Sequence, residues 1–235
     1  MNKYAVLLCL GDYYSDNSTG FSRLGFTLKN TNDFNAFLNN QNSPWIVSPM
    51  LYDKTAGKAN IQLKIEDAIS RCTNNTDWLL IYYTGHASRL MTKTPAGFPD
   101  FITYCVTYSD KLKFNFFPGL DEFFTEIDYN TVIDSFHEKV PNGHLITVLD
   151  CCNAFGLIEN FGQQTDFHTI ISSCSDGVPS YYNTNSAFFT AFRRCWDLPF
   201  QQLASSLRSI MASIRAPNRP VTQIANNFSN QSLNG

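Results

Sequence analysis

The amino-acid sequence predicts an α/β fold built on a mostly parallel sheet, and three observations carry that expectation. Short runs such as Tyr4–Leu10, Trp78–Tyr83 and Leu145–Leu149 are almost continuously apolar, as strands covered on both faces are. Between them lie stretches with apolar residues at helical spacing, and no linker-like segment interrupts the alternation. The composition is that of an ordered globular protein, with 43% hydrophobic and 16% charged residues in a chain of 235. A chain of that length buries a substantial core. The expected architecture is three-layered: a mostly parallel central sheet of about six strands, flanked by helices, in one domain over residues 1–235.

Tyr4–Leu10 reads as the first strand. Its apolar run is marginal for a secretory signal, and the polar residues that follow carry no cleavage motif. A helix is expected from about Thr31 to Asn39, with Asn30 or Thr31 as its cap. Trp45–Leu51 reads as a second strand, interrupted by Pro49. Ile61, Ile65, Ala68, Ile69 and Cys72 fall at helical spacing within Asn60–Cys72, and Trp78–Tyr83 is the third strand. Residues 87–120, with Pro95, Pro99 and Pro118, form the least regular stretch, with a hairpin around Phe101–Tyr108 as the one element to expect. Asp128–Lys139 reads as a helix, Leu145–Leu149 as strand four and Thr169–Cys174 as strand five. Helices over Ala187–Trp196 and Gln202–Ile214 precede a closing strand in Pro220–Ala225, and the Asn- and Ser-rich end from Asn226 is expected to fray.

Charge and cysteine usage exclude several classes of function. A formal net charge of −3, with no basic run longer than Arg193-Arg194, gives no footprint for nucleic acid. No apolar run approaches the ~18 residues that span a bilayer. Seven cysteines, odd in number and without a Cys-x-x-Cys or Cys/His cluster, fit reduced thiols in a cytoplasmic protein better than disulfides or zinc. Cys9, Cys72, Cys105, Cys174 and Cys195 sit in apolar runs and read as small core residues.

Two stretches point to chemistry. Asp77-Trp-Leu-Leu-Ile-Tyr-Tyr-Thr-Gly-His86 and His144-Leu-Ile-Thr-Val-Leu-Asp-Cys-Cys152-Asn153 each end a strand-like run in small or reactive residues. In an open α/β sheet the loops at the carboxyl ends of parallel strands form the binding crevice. Neighbouring strands lie about 4.8 Å apart, so a histidine and a cysteine delivered there can form a thiolate–imidazolium pair, the basis of a cysteine nucleophile. His137, His144 and His168 lack such a context and read as structural.

Tyr-Thr-Gly-His86 followed by Asp-Cys-Cys152-Asn resembles the paired Tyr-Ser-Gly-His-Gly and Asp-x-Cys-His-Ser-Gly motifs of metacaspases and other caspase-like cysteine peptidases. Ala5-Val-Leu-Leu-Cys-Leu-Gly11, Asn32-Asp33, Thr55-Ala-Gly-Lys-Ala-Asn-Ile61 and Ile171-Ser-Ser-Cys-Ser-Asp176 with Ser186-Ala-Phe-Phe-Thr190 extend the resemblance over most of residues 4–225. It implies a caspase-like fold, with a large-subunit-like part over about 1–160 and a small-subunit-like part over about 165–225. It implies Cys152 as nucleophile and His86 as general base, with the backbone N–H groups of Cys152 and Ala87 as oxyanion hole. It also implies Asp33, Thr84 and Asp150 as the lining of the pocket for the substrate residue before the scissile bond. Ala87 stands where the family has glycine, and Asn153 and Phe155-Gly156 depart from His-Ser-Gly. The Gln-Ala-Cys signature of aspartate-specific caspases is absent.

The implied function is a cysteine endopeptidase acting on protein or peptide substrates and cutting after Arg or Lys. Plainer roles compete for two of its residues: Asp150 as a cap of the following turn, and Asp33 as a charge on a helical first turn. Asp110, Glu126 and Asp128 fall near the places of the acidic cluster of calcium-dependent metacaspases, without its doubled aspartate; no other cofactor is implied. Only sixteen residues, Asn153 to His168, separate Cys152 from the next core strand. That length leaves little for an exposed, cleavable loop. With no module expected before the first strand, the enzyme is expected to work as an uncut chain, switched by a partner protein or small effector acting near 87–120. The competing reading is a catalytically weak pseudoprotease serving as a regulatory interaction module, its site altered at Ala87 and Asn153.

Overall fold

The computed structural model describes residues 1–12, 23–93, 95, 97, 99–108, 123–152, 154, 166–174, 186–214 and 220–234. Strand β1 (Lys3–Cys9) lies inside a sheet with β2 (Ile46–Val47), β3 (Leu51–Tyr52), β4 (Trp78–Thr84), β8 (His144–Asp150), β9 (His168–Ser172) and β10 (Val221–Gln223). The order is β10-β9-β8-β4-β1-β2, with β3 also on β1, and every pair is parallel except β9–β10. Strands β1, β4 and β8 are buried throughout, which is why they read as unbroken apolar runs.

Helices α1 (Thr27–Asn39), α4 (Ala187–Arg194) and α5 (Phe200–Ser213) cover one face, where Phe34 packs edge-on to Tyr82, Phe189, Phe192 and Trp196. Helices α2 (Lys58–Arg71) and α3 (Glu126–Lys139) cover the other, where Ile61, Ile65 and Tyr129 meet Leu8, Ile81 and Tyr83. The architecture is therefore three-layered α/β, as expected.

The local differences from the sequence reading have physical causes. The expected strand Trp45–Leu51 is two short pairings on β1, broken around Pro49, which has no N–H to donate. Residues 87–105 are not irregular: β5 (Ala87–Lys93) and β6 (Pro99–Cys105) form an antiparallel hairpin, extended by β7 (Phe124–Thr125) into a second sheet. Helix α3 begins at Glu126 because Thr125 and Asp128 close a capping box. Helix α1 begins at Thr27, not Thr31, so Asn30 and Thr31 are buried helical residues instead of caps. Thr31 settles its hydroxyl on the Thr27 carbonyl at 2.8 Å. The close packing of α1 against the end of β1 requires Gly11, where any Cβ would collide with Thr27 and the Leu24 carbonyl.

The expected frayed tail over 226–235 is corrected by its two apolar anchors. Phe228 stacks on His144 and meets Trp78 edge-on, and Leu233 is fully buried. The buried Lys3 ammonium donates to the carbonyls of Leu233 and Asn234 at 3.1 and 2.5 Å. Burial lowers its pKa to about 8.

Candidate active site

Strands β4 and β8 are neighbours in register over their whole length, and their last residues, Thr84 and Asp150, are partners. His86 and Cys152 each follow two residues later, so the same offset carries both to one level above adjacent strand ends. The Gly85 N–H reaches the Asp150 carbonyl at 3.4 Å, tying the two exits together. The His86 carbonyl is held by the Val106 N–H at 2.9 Å, where the chain enters the β5–β6 hairpin. The Tyr83 hydroxyl lies 2.5 Å from that carbonyl and 2.9 Å from the Val106 carbonyl, and can donate its one hydrogen to either. Ala87 starts β5, buried and opposite Cys105.

The adjacent cysteines differ in exposure. Cys151 is 1% exposed, and its carbonyl accepts from the Ser173 hydroxyl at 2.8 Å and the Cys174 thiol at 3.2 Å. Burial, reinforced by the nearby Cys105, Cys174 and Cys152, pushes its thiol well above the ordinary range. Cys152 is half-buried. A thiol that reacts must reach solvent and ionise, and of this pair only Cys152 has that access.

Below the strand ends, on the α1/α4 face, lies a buried polar layer. Asp150 is 3% exposed; its Oδ1 accepts from the Ser186 hydroxyl at 2.8 Å and its Oδ2 from the Tyr82 hydroxyl at 3.3 Å. Burial raises its pKa to about 7, against the pull of those two bonds. Thr84 is fully buried, with its hydroxyl against the Tyr82 phenol. The Cys9 thiol, raised by burial, lies against the Thr31 and Thr27 hydroxyls.

The resemblance implied that Asp33 shares this layer with Asp150, and the structure does not bring them together. Asp33 is on the outer side of α1, its side chain 43% exposed and paired with Lys29 at 2.8 Å. It lines a surface groove with Phe37, Phe189, Thr190, Arg193 and Arg194. Asn30, one helical turn before Phe34, is instead buried, together with Thr27 and Thr31 of the same helix. Sequence reasoning assigned no site role to Asn30, Tyr82 or Ser186. The one available signal was that Ser186 sits where a helix cap belongs; it accepts from the Phe189 N–H at 3.2 Å while donating to Asp150.

Of the candidate calcium ligands, Asp110 lies outside the described residues, as does the Glu126 side chain. Asp128 is committed to its capping box, to Lys58 at 2.9 Å and to Gln62 at 3.1 Å. Among the described residues no group of three His, Cys, Asp or Glu side chains could hold a metal ion, and no helix is long and apolar enough to cross a membrane.

No family model matches the chain, and no curated protein matches it. Among solved structures it is similar to the crystal structure of protein GSU0716 from Geobacter sulfurreducens, with a TM-score of 0.71 and 15% identity over 99% of this chain and 98% of that one. At that identity the likeness is one of fold: the three-layer α/β architecture is shared along the whole chain.

Proposed function

We propose that the chain is a cysteine endopeptidase working through a His86–Cys152 dyad. The observation that carries this reading is the register: Thr84 and Asp150 are partners on adjacent parallel strands, and the histidine and cysteine follow each by the same two residues. The burial of Cys151, the half-exposure of Cys152 and the resemblance to caspase-like peptidases support it.

In this mechanism His86 takes the Cys152 proton, and the thiolate attacks the scissile carbonyl carbon, forming a C–S bond and an oxyanion. The backbone N–H groups of Cys152 and Ala87 stabilise that oxyanion. Collapse breaks the C–N bond as imidazolium returns the proton to the leaving amine. Water, deprotonated by His86, then attacks the thioester; the C–S bond breaks and the thiol is restored. The substrate is a protein or peptide, and control comes from a partner protein or small effector. The Arg or Lys preference required Asp33 and Asp150 in one pocket; with Asp33 on the surface, that requirement is not met.

Cleavage of a peptide library by wild type, Cys152→Ala and His86→Ala, together with labelling by a peptide electrophile, tests the reading. Both variants should be inactive, and Cys152 should label well ahead of the six other thiols. Equal labelling of all thiols and no cleavage would leave an interaction module in place of an enzyme.

A further inference from the structure

Asn30 is the residue that the proposed mechanism leaves unused and packing does not explain. It is 0% exposed, and neither its Oδ1 nor its Nδ2 has a partner. Other side chains with a buried polar atom, such as Trp45, Trp196 and Thr222, leave a single atom unpaired; among the described residues Asn30 is the only buried amide with both ends open. Buried polar groups are nearly always bonded, and an exception calls for a bound group or a function.

Helix geometry locates the amide. The Leu24–Gly11 hydrogen bond anchors the start of α1 at the carboxyl end of β1, and the Trp45–Leu38 bond anchors its far end near the amino ends, so α1 runs antiparallel to the strands. Phe34 meets Tyr82 at 5.1 Å between ring centres. One turn back, about 5.4 Å along the helix, Asn30 comes level with Thr84, two residues or roughly 6.6 Å above Tyr82. Thr31 beside it reaches Cys9, whose strand partner is also Thr84. Asn30 therefore joins the polar layer directly beneath His86 and Cys152.

We propose that Asn30 reads a neutral carboxamide on the substrate residue before the scissile bond, so that the enzyme cuts after Asn or Gln. This inference rests on the endopeptidase reading above. A carboxamide returns one donor and one acceptor to the two open atoms of Asn30, with the Thr84 hydroxyl alongside. A guanidinium or ammonium offers only donors, leaves Nδ2 unpaired and needs a counter-charge. The one carboxylate in the layer among the described residues, Asp150, is already bonded through both oxygens, and with its pKa raised by burial to about 7 it carries only part of a charge near neutral pH. A carboxylate side chain would offer only acceptors, and an apolar one would leave both amide atoms open.

The test uses the full chain and peptides differing only at the residue before the cut, with wild type, Asn30→Asp and Asn30→Leu. The rate of Cys152 alkylation by iodoacetamide and thermal melting are measured in parallel. Wild type should favour Asn or Gln over Arg, Lys and Asp by at least about tenfold in kcat/KM, since a site built for hydrogen bonds strongly rejects a ligand that leaves them unmade. Asn30→Asp should move the preference to Arg and Lys, and Asn30→Leu should erase it, with Cys152 still alkylated ahead of the other thiols in both. A wild-type preference for Arg, Lys or Asp overturns the proposal even if the variants fail to fold. Profiles unchanged by substitution, or an equal loss on every peptide, also overturn it, leaving Asn30 with a buried water. Reactive Cys152 with the wrong preference sinks this inference alone; unreactive Cys152 and no cleavage sink the endopeptidase reading with it.

Discussion

The two ends of the central sheet treat their buried polar groups differently. At the amino ends, Asp77 precedes β4 and accepts from the Asn2, Thr73 and Asn74 N–H groups at 2.6, 3.0 and 3.0 Å, and from the Asn74 side chain at 3.3 Å. Burial opposes its charge most, but these bonds outweigh it and hold the carboxyl below its usual range. The neighbouring Lys3 binds two carbonyls and faces the Trp45 and Trp78 rings. At the carboxyl ends, Asp150 is pushed the other way, and neither end of the Asn30 side-chain amide has a partner. The charges at the amino ends are paired in closing the fold, with single ring nitrogens of His144 and Trp45 left open, while the carboxyl ends keep a whole amide unpaired. That is the pattern expected where a fold sacrifices local consistency for a site.

The largest effect should come at the carboxyl ends. Cys152→Ala should cut kcat/KM by on the order of 10⁴-fold or more with the melting temperature nearly unchanged, whereas Cys151→Ala should keep most activity. An active Cys152→Ala would remove the functional half of the comparison. At the amino ends the reverse is expected. Phe228→Ala, deleting a ring stacked on His144, should cost about 3 kcal/mol in denaturant unfolding, and Asp77→Ala about 2–4 kcal/mol through its stranded N–H donors. Neither should change the rate at which Cys152 is alkylated, and a large change would show that the two ends are coupled.

Acid sharpens the contrast, because buried groups of opposite sign titrate in the same window. Burial holds His144 well below its ordinary range and His168 at about 3, each bonded to a threonine hydroxyl. Unfolded, both take protons near pH 6.5, so the stability they contribute is present above that pH and lost as pH falls toward their folded values. Asp150 does the opposite: its folded pKa of about 7 lies above its unfolded value, so its contribution grows as pH falls. Two histidines against one aspartate leave a net loss of stability as the pH falls below about 6. Denaturant unfolding at pH 7, 5 and 3.5 checks this, and His144→Phe should flatten the upper limb. The smallest effect belongs to neither end: Asp128→Ala, breaking the capping box of α3, should cost about 1 kcal/mol and leave activity unchanged.

Much of the fold was legible because burial on both faces writes unbroken apolar runs, and β1, β4 and β8 fall within a residue or so of where those runs placed them. The hairpin at 87–105 was legible only in part: one was expected around Phe101–Tyr108, but its first strand, Ala87–Lys93, was not. Its prolines and scattered polar residues mimic a loop, and its pairing comes from non-local hydrogen bonds such as Ala87 with Cys105. The tail misled through composition: two apolar residues, Phe228 and Leu233, outweigh an Asn- and Ser-rich background.

What the sequence by itself determined is the set of strands and the chemistry at their ends: a histidine after one apolar run, an Asp-Cys-Cys after another. Periodicity and residue type are local properties and survive in one dimension. Only the tertiary structure decided that the two strands are neighbours in register, that Cys151 is buried while Cys152 is not, and that Asp33 faces solvent while Asn30 faces the sheet. The reason is geometric. Moving a helix start from Thr31 to Thr27 turned both expected caps, Asn30 and Thr31, into buried helical residues, and no local preference fixes that choice. It follows from packing α1 against Gly11 at the end of β1 and against Tyr82 and Phe189, contacts made by residues far apart along the chain.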